Sequence, residues 1–155
     1  MDLNSDFSEL FSTFNAVDAR YLVVGGWAFT FHARPRYTKD LDLWVDATPD
    51  NGERVYRALA QFGAPLSGTS VDDFSQPGCF FIMGAAPTRI DILTVVDGLV
   101  FAEAWERRVP TYYGDVPICV LGRDDLIRNK RMVGRPQDVA DVLELERVQR
   151  RTRPH

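Results

Sequence analysis

Apolar residues recur at helical spacing from the start of the chain. Phe7, Leu10, Phe11, Phe14 and Val17 share one face of a helix that Ser5 can cap and that ends near Asp18-Ala-Arg20. Tyr21 to Val24 is an unbroken apolar tetrad, the pattern of a short buried strand. Gly25-Gly26 interrupts it, and Trp27 to His32 predicts a helix whose N-terminus faces the break, closed by Arg34-Pro-Arg36. From Lys39 to Val45 the pattern alternates. Asp40 and Asp42 take one face of a strand, while Leu41, Leu43 and Val45 take the other.

Thr48-Pro49-Asp50 is a helix start, with Thr48 as cap and Pro49 in the first helical position. Val55, Leu59 and Phe62 form that helix's buried stripe, and Gly63 closes it. Residues 64 to 78 are rich in Gly, Ser, Pro and Asp and read as a loop. Cys79 to Met83 and Thr88 to Val95 read as strands of a hairpin across Gly84-Ala-Ala-Pro87. A short helix is expected over Phe101 to Arg108 and a strand over Val116 to Val120. Two helices follow, about 123–133 and 136–149, parted by Gly134-Arg-Pro136. The whole is an α+β pattern: one domain of mixed sheet with helices packed around it and two helices at the C-terminal end.

The 155 residues suffice for one hydrophobic core. With 18 Lys and Arg against 22 Asp and Glu, the net charge is −4, so no global basic field advertises a nucleic-acid partner. The exception is the arginine cluster Arg147, Arg150, Arg151 and Arg153, read as a solvated helix end with RNA contact as the minor alternative. Cys79 and Cys119 lack metal-ligand spacing and read as free thiols in a reducing compartment. The polar, acidic N-terminus and the lack of a long apolar run point to a cytoplasmic protein without membrane contact.

The candidate chemistry lies in the alternating strand. Carboxylates two residues apart on a strand share a face about 6–7 Å apart along the backbone, and they repel each other unless a cation lies between them. Hard divalent cations are bound by such oxygens. Asp91, in Arg89-Ile-Asp-Ile-Leu93, is the best third carboxylate, since an acid in such an apolar run is costly to bury without a partner. Asp40, Asp42 and Asp91 are therefore the candidate metal ligands for Mg2+ or Mn2+, with Asp91 also a candidate general base. The Gly25-Gly26 turn offers unpaired backbone N–H groups and close approach to a phosphate.

These three parts in this order resemble the DNA polymerase β-type nucleotidyltransferase superfamily. More narrowly they are similar to small bacterial nucleotidyltransferase-fold proteins, including relatives of lincosamide nucleotidyltransferases and of nucleotidyltransferase toxins. Asp125-Leu-Ile-Arg-Asn-Lys130 and Gly134-Arg-Pro-Gln-Asp-Val-Ala-Asp141 share the likeness, which covers about residues 20 to 145. The resemblance implies a minimal palm-like sheet, Mg2+, and transfer of a nucleoside monophosphate from a nucleoside triphosphate to a hydroxyl or phosphate acceptor. Where many active members have Gly-Ser, this chain has Gly25-Gly26, which removes a hydroxyl contact and leaves the backbone N–H groups.

Cations for a triphosphate are few. Lys130 reads either as a triphosphate contact, which the resemblance favours, or as a lysine paired with Asp125 or Asp138. Arg36 and Lys39 flank the aspartate strand, and Arg36 can steer phosphate or pair with Asp40 or Asp42. Asp138 and Asp141 read as early-helix charges. The acceptor is a small molecule or an RNA, with a homodimer or partner protein completing its pocket. The rival is a non-catalytic nucleotide-binding or partner-binding module on the same fold.

Overall fold

The protein, as a computed structural model, is described for residues 3–37, 40–85 and 88–152, with side chains as far as Val148. In chain order the elements are α1 (Ser5–Ala16), β1 (Tyr21–Val24), α2 (Gly25–His32), β2 (Asp40–Val45), α3 (Pro49–Phe62), α4 (Val71–Ser75), β3 (Phe80–Met83), β4 (Arg89–Leu93), α5 (Phe101–Glu106), β5 (Val109–Tyr113), β6 (Val116–Val120), α6 (Arg123–Val133) and α7 (Pro136–Thr152). The strands form one mixed sheet in the order β3-β4-β2-β1-β6-β5. β2 runs parallel to β4 and β1 parallel to β6, while the other neighbours are antiparallel. Mixed α+β architecture is therefore as the sequence pattern implies.

Local chemistry sets the element ends. Asn4, not Ser5, caps α1: its Oδ1 accepts from the backbone N–H groups of Asp6 and Phe7 at 2.8 and 3.1 Å. Thr48 caps α3, Pro49 opens it, and Gly63 at φ 95° closes it in the left-handed region. The side chain of buried Asn51 accepts from the Arg20 N–H at 2.7 Å and donates to the Arg20 and Asp46 carbonyls, tying α3 to the ends of β1 and β2. Two elements add to those the sequence pattern assigns. The polar stretch 64–78 contains α4, opened by the Ser70 N–H donating to the Asp73 carboxylate and anchored by buried Phe74. Val109–Tyr113 is an edge strand, where Pro110 is tolerated.

The sheet has two unlike faces. Tyr21, Leu41, Leu43, Val45, Ile90 and Ile92 are all buried on one of them. Phe11 of α1 stacks on Tyr21, Phe14 meets the same ring edge-on, and Phe74 of α4 meets Phe81, so α1 and α4 cover that face. The other face carries Asp40, Asp42, Asp91 and Ile82 toward one end of the strands and Trp44, level with Phe80, toward the other, where Phe101 of α5 lies against the tryptophan. Among the described residues, no helix is long and apolar enough to cross a membrane.

A buried ionic cluster joins α6, α7 and the segment after α2. Lys130 Nζ donates to Asp141 at 2.8 Å and lies 3.6 Å from Asp138. Arg36 makes a bidentate pair with Asp141 at 2.5 and 3.0 Å, its guanidinium 3.8 Å from the Phe29 ring centroid. Burial alone would raise the Asp141 carboxyl, but hydrogen bonds from Arg36, Lys130 and Gln137 outweigh it and hold Asp141 well below the usual carboxylate range. Asp141→Ala would remove the carboxylate that both cations share. It is expected to cost about 3–5 kcal/mol of stability in urea unfolding, with Asp141→Asn costing less because the amide still accepts a hydrogen bond.

Candidate active site

Strand register assembles the three aspartates. Asp42 is the Cα partner of Asp91 across the β2–β4 ladder, and Asp40 is the partner of Arg89. Residues opposite one another in a ladder share a face, so the three carboxylates and the Arg89 side chain project together. Asp91 is 4% exposed, whereas Asp40 and Asp42 are half-buried.

The glycine turn meets this cluster. Gly25 has φ 65°, a conformation that costs any other residue, and a Cβ built on it would overlap the Asp42 carboxylate. The Asp42 side chain therefore lies directly against the start of α2. Val24 precedes that helix and makes no side-chain cap hydrogen bond to its first-turn N–H groups. Gly26 lies within this first turn.

Burial raises the Asp42 carboxyl, the charge of Asp91 and a hydrogen bond to Asp91 raise it further, and Asp40 adds to them, so it stands at about 7 despite Arg89. Arg89, not singled out in the sequence, holds both oxygens of Asp91: Nε donates to Oδ1 at 2.8 Å and NH2 to Oδ2 at 3.1 Å. Its signal was its position two residues before Asp91, which puts it on the same strand face.

The donor chemistry suits Mg2+ or Mn2+: three carboxylates offer hard oxygen atoms on one sheet face. As arranged, however, no group of three or more His, Cys, Asp or Glu among the described residues is placed to hold a metal ion. In this arrangement the Arg89 guanidinium occupies both oxygens of Asp91.

The other expected site residues lie elsewhere or are not described. Arg36 and Lys130 converge on Asp141 under Phe29, one turn along α2 from the glycines. Asp125 pairs with Arg107. Lys39 lies outside the described residues. In the arginine cluster, Arg147 pairs with Glu144, and the side chains beyond Val148 lie outside the described ones. His32 is structural: a ring nitrogen contacts the Leu121 carbonyl at 2.7 Å, and burial lowers its pKa. Cys79 and Cys119 are free, half-buried thiols whose pKa values burial raises. Trp27 lines an apolar cavity of about 290 Å3 with Phe7, Phe11, Val23 and Leu41, on the sheet face away from the aspartates.

No protein-family model and no curated protein sequence matches the chain. Among solved structures, the crystal structure of the lincosamide antibiotic adenylyltransferase LnuA with lincomycin bound matches 96% of this chain and 99% of its own, at 15% identity and a TM-score of 0.52. This likeness shows the fold: the chain has the nucleotidyltransferase-like fold.

Two outcomes follow from the Asp42 environment. A carboxyl raised in the folded state contributes stability that is full below its unfolded pKa of 3.8 and is lost as pH rises through about 7. Metal-free protein is thus expected to lose stability across this window, and Asp42→Asn to lose less, as read by urea unfolding at stepped pH with chelator present. Gly25→Ala should cost about 1–3 kcal/mol for backbone strain plus its overlap with Asp42. Combining it with Asp42→Ala should restore the overlap part only, measured as a double-mutant cycle.

Proposed function

We propose that this chain is a nucleotidyltransferase that moves a nucleoside monophosphate from a nucleoside triphosphate to an acceptor hydroxyl. The observation that carries this reading is the Asp42 carboxylate lying against Gly25 at the open end of α2, with Asp91 in register beside it. A phosphate-accepting backbone turn and a cluster of hard oxygen ligands thereby share one location. Asp40, Asp42 and Asp91 would hold Mg2+ or Mn2+, which when bound neutralises phosphate charge and stabilises the departing pyrophosphate.

The chain's own groups supply the rest. The N–H groups at Gly25-Gly26 orient a phosphate at the helix end. Asp91 takes the proton of the acceptor hydroxyl as its oxygen bonds to the α-phosphorus, and the bond from that phosphorus to the pyrophosphate oxygen breaks. Arg36 and Lys130 serve this site by fixing α2; triphosphate contact by either requires release from Asp141. Lys39, next to Asp40 in the sequence, is a further candidate phosphate contact.

A small-molecule acceptor is favoured. The LnuA structure holds lincomycin, this chain has a net charge of −4, and exposed Phe80 and Ile82 flank Asp91 on the same face of β3, with Ile82 its direct Cα partner. An apolar shelf beside the proton acceptor suits a molecule with an apolar surface near its reactive hydroxyl.

Incubation with each α-labelled nucleoside triphosphate, Mg2+ or Mn2+, and pools of small molecules or RNA should place label on the small-molecule pool and release pyrophosphate. Label on RNA would reassign the acceptor. Nucleotide binding with no labelled product under any metal condition would replace transfer by the non-catalytic module. Asp42→Ala should abolish labelling, while above pH 7, where the Asp42 carboxyl is ionised, the metal-free variant melts at or above the parent because one member of a repelling cluster is gone.

A further inference from the structure

Three acids and one guanidinium share a single sheet face. Arg89 reaches Asp91 from two residues away on the same strand, and its own Cα partner is Asp40. Both oxygens of Asp91 are engaged by the planar fork, so the guanidinium stands where a cation would otherwise draw the acids together. The two partners differ in freedom. The Asp91 side chain is 6% exposed and fixed in mid-strand, while the Arg89 side chain is 35% exposed at the first position of β4. Asp91 cannot leave the cluster, whereas the arginine can swing outward without unpacking the core.

We propose that Arg89 is a built-in counter-cation that holds the acid cluster together in the nucleotide-free protein and must be displaced from Asp91 for a divalent metal ion to enter. Once displaced, its guanidinium stays on the open face and contacts the phosphates of the incoming nucleotide. The exchange step rests on the geometry of Arg89 and the acids; the phosphate contact rests in addition on the proposed nucleotidyl transfer. The arrangement couples metal and nucleotide, since the phosphates give the displaced arginine a new anionic partner.

The test measures Mn2+ binding directly, without nucleotide, by electron paramagnetic resonance and calorimetry. An opposite charge beside a carboxylate typically shifts proton binding by one to three powers of ten, and the same competition applies to a metal ion. Arg89→Gln is therefore expected to bind Mn2+ at least about tenfold more tightly than the parent. It should melt lower than the parent in chelator and gain more from added Mn2+. Arg89→Lys, which keeps one charge and loses the fork, should fall between them, and it carries the test should Arg89→Gln not fold. With metal present, Arg89→Gln should weaken triphosphate binding more than monophosphate binding. Mn2+ affinity in both variants equal to or weaker than the parent's would overturn the exchange and make Arg89 a fixed structural partner. Metal exchange without nucleotidyl transfer would remove the transfer reading and keep the exchange; transfer without exchange would remove this inference alone.

Discussion

Like charges on one face of a sheet are the constraint around which the rest is arranged. Asp42 faces Asp91 across a parallel ladder, with Asp40 next in line, and water cannot fully screen a carboxylate as buried as Asp91. The metal-free protein meets this cost in two ways. Arg89 supplies one opposite charge, and Asp42 shares a hydrogen bond with Asp91 that only a protonated carboxyl can donate. The opposite face bears the burden of stability, because Leu41, Leu43, Ile90 and Ile92 alternate with the acids and bury completely or nearly so. The same two strands thus hold the core on one side and a strained charge cluster on the other.

A second charge cluster is satisfied where the first is not. Asp141 gathers Arg36, Lys130 and Gln137, and Asp138 takes Arg135 together with the charge of Lys130. These bonds join α6 and α7 to the segment leaving α2, so the helix that begins at Gly25 is pinned from beneath. The contrast separates support from chemistry: opposite charges in balance suit a fixed joint, while unbalanced acids suit the arrival of a cation.

Much of this was legible in the sequence because short-range rules acted alone. The β1 tetrad, the alternation in β2 and the Thr48-Pro49 start with its Gly63 stop each have a local cause, and each element formed there. Asp40, Asp42, Asp91 and Gly25 could be grouped from strand period and order. Arg89 was legible in the same period, being in phase with Asp91, but a salt bridge within one strand leaves no mark in hydrophobic patterning. Asp138 does lie in the first turn of α7, as an early-helix charge, whereas the role of Asp141 was hidden because Arg36 and Lys130 reach it from outside that helix. α4 was hidden by composition: its turn-like residues fold around one buried side chain, Phe74. Asn4 displaced Ser5 as the cap since its carboxamide oxygen reaches two N–H groups at once.

The pairing of β2 with β4 has a consequence for how the protein comes into being. These neighbours are far apart in sequence, and α3, α4 and β3 all lie between them. The loop between must close before Asp42 and Asp91 can meet, an entropic cost that local helices do not carry. A growing chain that has just produced Asp40 and Asp42 therefore has two carboxylates and no centre. The chemistry of the cluster arises only with long-range order in the sheet, so a chain caught partly folded would hold neither the repulsion nor the cation.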